Sequence, residues 1–285
     1  MRGPLLLLLP FLAAGGACTG SAPPKLAEEP PTRLTLDRTD LSIIGEAAEA
    51  YAFDDGAFHL LVATALGELP MLPPALRDGR LDVVGVLEPA PIGAEGAIAG
   101  DARLTLESRI RARGLGEPVT SGVAAVGSGG DRAAVTRLLE RALADLDHGL
   151  RTAAGLLGAG EERLILALDS AEPDEQILAA RLLSERRARA AVPALGRMLE
   201  DPRPDVAEAA AGAMAAIGAP EAVPLLIRAI RRGDLRSEVR AIEAMAAIGG
   251  AEAEAYLEMT AVGHEVPEVR RLSEAALRRL RTGRK

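Results

Sequence analysis

The chain has 285 residues, 48% hydrophobic and 26% charged, with a formal net charge of −8. These values belong to a folded chain of one or two domains, and the acidic balance argues against a nucleic-acid binder, which needs clustered cations to neutralise phosphates. Aromatic residues make up only 2%, with no Trp, so the core must be built from Ala, Leu, Val and Ile, a composition that suits closely packed helices.

The amino terminus reads as an export signal. Arg2 precedes an apolar run from Leu5 to Leu12, then small residues from Ala13 to Ala17, then Cys18, the only cysteine. The run is too short to cross a bilayer, which takes about 20 apolar residues. A lone cysteine excludes an internal disulfide. Its position after Gly15-Gly16-Ala17 resembles a bacterial lipoprotein signal, with Gly15 standing where that family usually has Leu. The resemblance implies a signal peptide over residues 1–17, lipid attachment at Cys18, and the membrane as one partner. Gly15 and Ala17 also satisfy the small-x-small site of an ordinary signal peptidase, which remains the alternative. Thr19 follows the cysteine in place of the Asp that often retains lipoproteins at the inner membrane. The expected location is therefore the cell envelope, at the outer membrane and facing the periplasm. Residues 18–32, with Pro23-Pro24 and Pro30-Pro31, read as a tether without a core.

Residues 33–150 are expected to form a small antiparallel-sheet α+β domain. β-favouring runs appear at His59 to Leu66, Leu81 to Leu87, Ala102 to Ile110 and Val119 to Val126. Pro89-Ala90-Pro91 and Gly127-Ser128-Gly129-Gly130 punctuate them. Leu104, Leu106, Ser108 and Ile110 alternate with Arg103, Thr105, Glu107 and Arg109, the period-two pattern of a half-exposed strand. A meander of three or more strands follows from this. The segment from Arg33 to Asp55 fits strand and helix equally. Asp131 then caps a long helix with an apolar stripe of Val135, Leu138, Leu139, Ala142, Leu143 and Leu146, expected to lie on the sheet. Four glycines between Gly149 and Gly160 read as the joint to the next part.

Beyond that joint the sequence repeats. Ala213-Met214-Ala215-Ala216-Ile217-Gly218 returns letter for letter as Ala244-Met245-Ala246-Ala247-Ile248-Gly249, 31 residues later. Ala191-Val192-Pro193 returns as Ala222-Val223-Pro224, and Pro173-Asp174 as Pro204-Asp205, at the same interval. Each copy reads as two helices: one opened by Pro204-Asp205 and closed by Gly218, one from Val223 to Ile230 with Pro224 in its first turn. Neither helix buries its apolar stripe without a neighbouring copy, so residues 161–285 are expected to be one stacked core. Glu162 to Leu168 begins the stack as a half-repeat. His264 to Leu280 ends it, with Val269, Ser273, Ala276, Leu277 and Leu280 facing inward.

This pattern resembles the HEAT family, in the short bacterial form called PBS-lyase-like HEAT repeats. The expected fold is thus multidomain α+β, a small sheet domain followed by an all-α HEAT-repeat solenoid. The resemblance implies a concave face that binds an unidentified protein partner. Arg197, Arg228, Arg231 and Arg232, at the ends of the second helices, are its candidate contacts; the alternative is that they satisfy helix C-termini. The C-terminal cations Arg270, Arg271, Arg278, Arg279, Arg281, Arg284 and Lys285 read as complementing the last helix dipole and keeping the end of the stack wet, the alternative being an anionic membrane or an acidic partner.

Chemistry is sparse. One HEAT-type enzyme, deoxyhypusine hydroxylase, holds two irons with paired His-Glu motifs, whereas this chain has one such pair, His264-Glu265, and three histidines in all. His59 belongs to the sheet region and His148 to the long helix, so neither supplies ligands at repeat spacing. A phycobilin lyase acts inside photosynthetic cells, and this chain reads as exported. No serine sits in a Gly-x-Ser-x-Gly elbow, and Asp54-Asp55-Gly56 lacks the further acids of a calcium loop. Glu254 and Glu258 share one helix face and read as solvated surface. The expectation is a non-enzymatic adaptor with no catalytic residue, no cofactor, no metal and no nucleic-acid partner. The alternative is a metal- or cofactor-dependent enzyme of the envelope.

Overall fold

A computed structural model describes residues 31–44, 55–91, 101–129, 131–231 and 235–282. The expected signal peptide, Cys18 and most of the expected tether lie outside them. The tether's last residue, Thr32, already belongs to a short strand, β1 (Thr32–Arg33).

β2 (Thr35–Ile43) runs parallel to β4 (Arg77–Pro89), with α1 (Asp55–Leu66) and the short β3 (Met71–Leu72) between them. β5 (Asp101–Arg113) and β6 (Val119–Ser128) continue antiparallel, giving the order β2-β4-β5-β6, while β1 pairs with β3 separately. The expected antiparallel meander is therefore β4-β5-β6, and a parallel strand makes the sheet mixed. In β5, Leu104, Leu106, Ser108 and Ile110 are buried and the residues between them are not. The opposite face is wet and cross-linked. Arg111 donates to Asp82 at 2.8 Å and to Asp37 at 3.0 Å, and Arg80 donates to Asp37 at 3.0 Å.

His59 to Leu66, expected as a strand, is helical. The reason is a period missed by one residue: Phe58, Val62 and Leu66 are 0%, 0% and 2% exposed, and a spacing of four is one face of a helix. That face packs α1 onto the sheet. His59 points outward, its Nδ1 3.1 Å from Thr39 Oγ1.

Asp131 caps α2 (Arg132–Leu157) as expected, accepting from the Ala134 amide at 2.7 Å. The helix carries the stripe from Val135 to Leu146 over β5 and β6, then continues through Leu150, Ala153, Leu156 and Leu157, all buried. The expected glycine joint is thus helical over Gly149 and Gly155. A glycine inside a helix costs about 1 kcal/mol relative to Ala, and at Gly149 the reason is a close approach: a Cβ there would stand 2.9 Å from Ser121 Oγ. Arg151 fastens the same helix to the end of α1, donating to the Leu66 and Glu68 carbonyls at 3.3 and 3.2 Å.

The remainder is α3 (Glu161–Ala167), α4 (Pro173–Glu185), α5 (Val192–Met198), α6 (Pro204–Ile217), α7 (Val223–Ile230), α8 (Leu235–Ile248), α9 (Ala251–Gly263) and α10 (Pro267–Thr282). First helices α4, α6, α8 and α10 pack in succession, and α3, α5, α7 and α9 are the second helices. The bounds of α7 are those the sequence sets. Leu164, Leu195, Leu226 and Leu257, each 31 residues from the next, are all 0% exposed, and a buried leucine contributes about 1.5–3 kcal/mol. Helices as short as α3 and α5 do not persist alone in water, so this row is what makes them helical. Backbone turns repeat as well. Single 3-10 turns recur at Arg189–Ala191 and Pro220–Ala222. Left-handed residues recur at Arg187, Gly218 and Gly249, with φ of 52°, 68° and 71°. Val269, Ser273, Ala276, Leu277 and Leu280 of α10 face inward as expected.

Candidate interaction surfaces

Two residues on from each leucine of the core row stand Leu166, Arg197, Arg228 and Met259. Three further on stand Asp169, Glu200, Arg231 and Val262. These positions form a ladder down the second helices. On its first rung Arg197 Nη2 donates to Asp169 Oδ2 at 2.8 Å and Oδ1 at 3.1 Å. One period later Arg228 Nε lies 3.7 Å from Glu200 Oε1. Both pairs link a helix end to the next repeat, and each arginine also stands in the last turn of its own helix. On the third rung the residue 28 positions after Arg231 is Met259, so the pairing of acid and arginine seen on the first two rungs does not recur there. Met259 and Val262 are 64% and 86% exposed. Arg232 lies outside the described residues.

A polar cluster sits between α8, α9 and α10. His264 Nδ1 accepts from the Val266 amide at 3.1 Å, so its proton is on Nε2, which donates to Glu238 Oε1 at 3.1 Å. Burial, reinforced by the Glu238 carboxylate, pushes the half-buried Tyr256 phenol above its ordinary range. Both ring nitrogens of His264 are therefore engaged in holding the turn into α10. Glu265 beside it is exposed. Among the described residues, no group of three or more His, Cys, Asp or Glu side chains is placed to hold a metal ion. Glu254 and Glu258, expected as solvated surface, both accept from Arg281, Glu254 at 3.0 Å, so that basic residue ties α10 to α9.

Between α4 and the start of α6, Arg203 reaches Asp201 at 2.8 Å, the Gln176 side chain at 2.7 Å and the Ala171 carbonyl at 3.1 Å. Its hydrogen bond holds the Asp201 carboxyl below the usual carboxylate range, against the opposing pull of burial.

A second surface is a cleft of about 500 Å³ between β6, the C-terminal half of α2 and the first turns of α4. Consecutive residues Val119 to Val123 all border it. Side chains of a strand alternate between faces, so a cavity touching every one of them lies at the strand's edge. Asp145 and His148 line it from α2, and Asp174 from α4, where its carboxylate accepts from Ser121 Oγ at 3.3 Å. None of these residues is among the sequence candidates. They lie far apart in the chain, and the one local signal is that β6 contains no charged residue.

No curated protein matches this chain. Residues 161–242, which hold the opening helix α3, the pairs α4-α5 and α6-α7 and the first part of α8, match the family model of HEAT repeats.

Proposed function

We propose that this chain is a non-enzymatic adaptor of the bacterial cell envelope, lipid-anchored at Cys18 and binding a protein partner through the face that α3, α5, α7 and α9 carry. One observation carries the reading: the buried row repeats leucine at every step, whereas the exposed ladder changes from Leu166 and Asp169 to Arg231, Met259 and Val262. Met and Arg are the residue types enriched at protein interfaces, and repeat stacks present extended surfaces for such contacts. Arg231 is the strongest of the candidate cations because its rung offers Met259 in place of a carboxylate. Arg197 and Arg228 flank it along the ladder, and Arg232 follows it in the chain. The Cys18 motif supports the anchor and the envelope location.

Two measurements test this reading. A photo-crosslinking amino acid at Val262 of the full chain in its own membranes is expected to capture one protein, and Arg231→Glu to abolish that adduct without lowering the melting temperature. An identical adduct from a crosslinker at Thr105 on the open sheet face, or no adduct at Val262, rejects the proposed surface. Labelled palmitate is expected to enter the native chain and not Cys18→Ser; retention of label in the variant rejects the anchor.

A further inference from the structure

The two edges of the sheet are built differently. β2 carries Asp37, Arg38 and Asp40 and has a register irregularity between Leu36 and Arg38. Charges and bulges of this kind blunt a strand against further pairing. β6, the other edge, keeps an unbroken register with β5 over Val119 to Ser128 and contains no charged residue and no proline. Among the described residues β6 pairs with β5 alone, and the cleft runs along its first half.

We propose that the β6 edge is a strand-addition site that takes an extended basic peptide segment of another protein. The added strand would pair with the outward amides and carbonyls of β6, the mode by which peptides join open sheets. Its alternate side chains would enter the cleft. The apolar ones would rest on Val123, Ala153, Leu156 and Leu178, and the basic ones would reach Asp145 and Asp174. The cleft is lined by the carboxylates of Asp145, Glu172, Asp174 and Glu175 and by no Lys or Arg. That charge selects a cationic occupant. It also argues against a second copy of this chain, because pairing β6 with β6 would bring two acidic rims together. On α2, Arg141 stands one turn before Asp145, so the basic side chains belong over Val119 to Val123 and not farther along β6. This site is separate from the Arg231, Met259 and Val262 surface.

The test uses the full chain and a set of ten-residue synthetic peptides in which every second residue is Thr and the positions between them carry both Val and Lys or Arg, so that apolar and basic side chains share the face turned to the cleft. Binding is expected to slow amide exchange in Thr120 to Ala124 and to be lost when alternate peptide amides are N-methylated, which removes the strand bonds and keeps the charge. Asp145→Lys combined with Asp174→Lys is expected to weaken binding about tenfold, within the range for two rim charge pairs, and Met259→Asp to leave it unchanged. Equal binding of the N-methylated peptides overturns the proposal, as does failure of every peptide in the set to protect β6. A homodimer that buries the same amides, detected by sedimentation and exchange without peptide, also overturns it.

Discussion

Leu195 in the repeat stack and Phe58 beneath the sheet are both 0% exposed, yet different rules hold them. Leu195 has counterparts in Leu164 and Leu226, 31 residues to either side, and its neighbours are copies of its own surroundings. Phe58 reaches its place only because β2, β4 and α1 are brought together from separate parts of the chain. Damage should therefore spread differently. Phe58→Ala is expected to cost about 3–5 kcal/mol and Leu195→Ala about 2–5 kcal/mol, measured by urea unfolding. In a stacked array the loss passes mainly to nearest neighbours. Hydrogen exchange in Leu195→Ala should accelerate in α4 to α7 while β4 and β5 stay protected, and Phe58→Ala should do the reverse. Equal acceleration everywhere in both variants would show that the continuous core behaves as one cooperative unit and would erase the distinction.

The same difference decides what is legible in the sequence. Each helix of the stack has a counterpart 31 residues away, so the bounds of α7 and the inward residues of α10 follow from spacing alone. The sheet has no such internal copy. A run taken from His59 excludes Phe58 and hides the four-residue period of α1, and the parallel pairing of β2 has no local signature at all. Gly149 resembles a joint, since nothing in the sequence says that Ser121 lies against it. The ladder positions are half legible. The arginines stand out, but their partners Asp169 and Glu200 lie 28 residues earlier, an offset that becomes meaningful only once adjacent helices pack. The cleft is not legible, because its acids come from α2 and α4 and its edge from β6.

The left-handed positions sharpen the comparison at single-residue scale. Gly218 and Gly249 close α6 and α8 at the same place in consecutive repeats, and Arg187 occupies that place after α4. An L side chain in this region costs roughly 1–2 kcal/mol, partly offset by the entropy that glycine loses on folding. Gly218→Ala and Gly249→Ala should each destabilise by about 1 kcal/mol, whereas Arg187→Gly should be neutral or stabilising by up to about 1 kcal/mol. Melting temperatures read the sign directly. A loss in Arg187→Gly would mean that the first repeat is not equivalent to the others at its turn.

Acid separates a unique contact from a repeated one. Arg203 lowers the Asp201 pKa in the folded chain, so this carboxylate binds its proton more readily when unfolded. Its contribution to stability is complete above the unfolded value near 3.9 and is lost as pH falls through the folded value. Urea midpoints taken from pH 5 downward should fall less steeply in Arg203→Leu than in the native chain. The same slope in both would remove Asp201 from the acid response.

The smallest effects belong to the ladder, where the two rungs serve as internal controls for each other. Both are exposed, so each is expected to couple by only about 0.2–1 kcal/mol. Arg197 grips both oxygens of Asp169, at 3.1 and 2.8 Å, while Arg228 stands 3.7 Å from Glu200, and two-point contact holds a guanidinium better than one distant oxygen. A double-mutant cycle on Arg197 and Asp169 should therefore exceed one on Arg228 and Glu200, and both should shrink in 1 M salt, where the screening length falls to about 3 Å. Coupling near zero on both rungs would mean that neither guanidinium is committed between repeats. Arg197 and Arg228 would then be as open to a partner as Arg231, and the contact surface would run the whole length of the ladder.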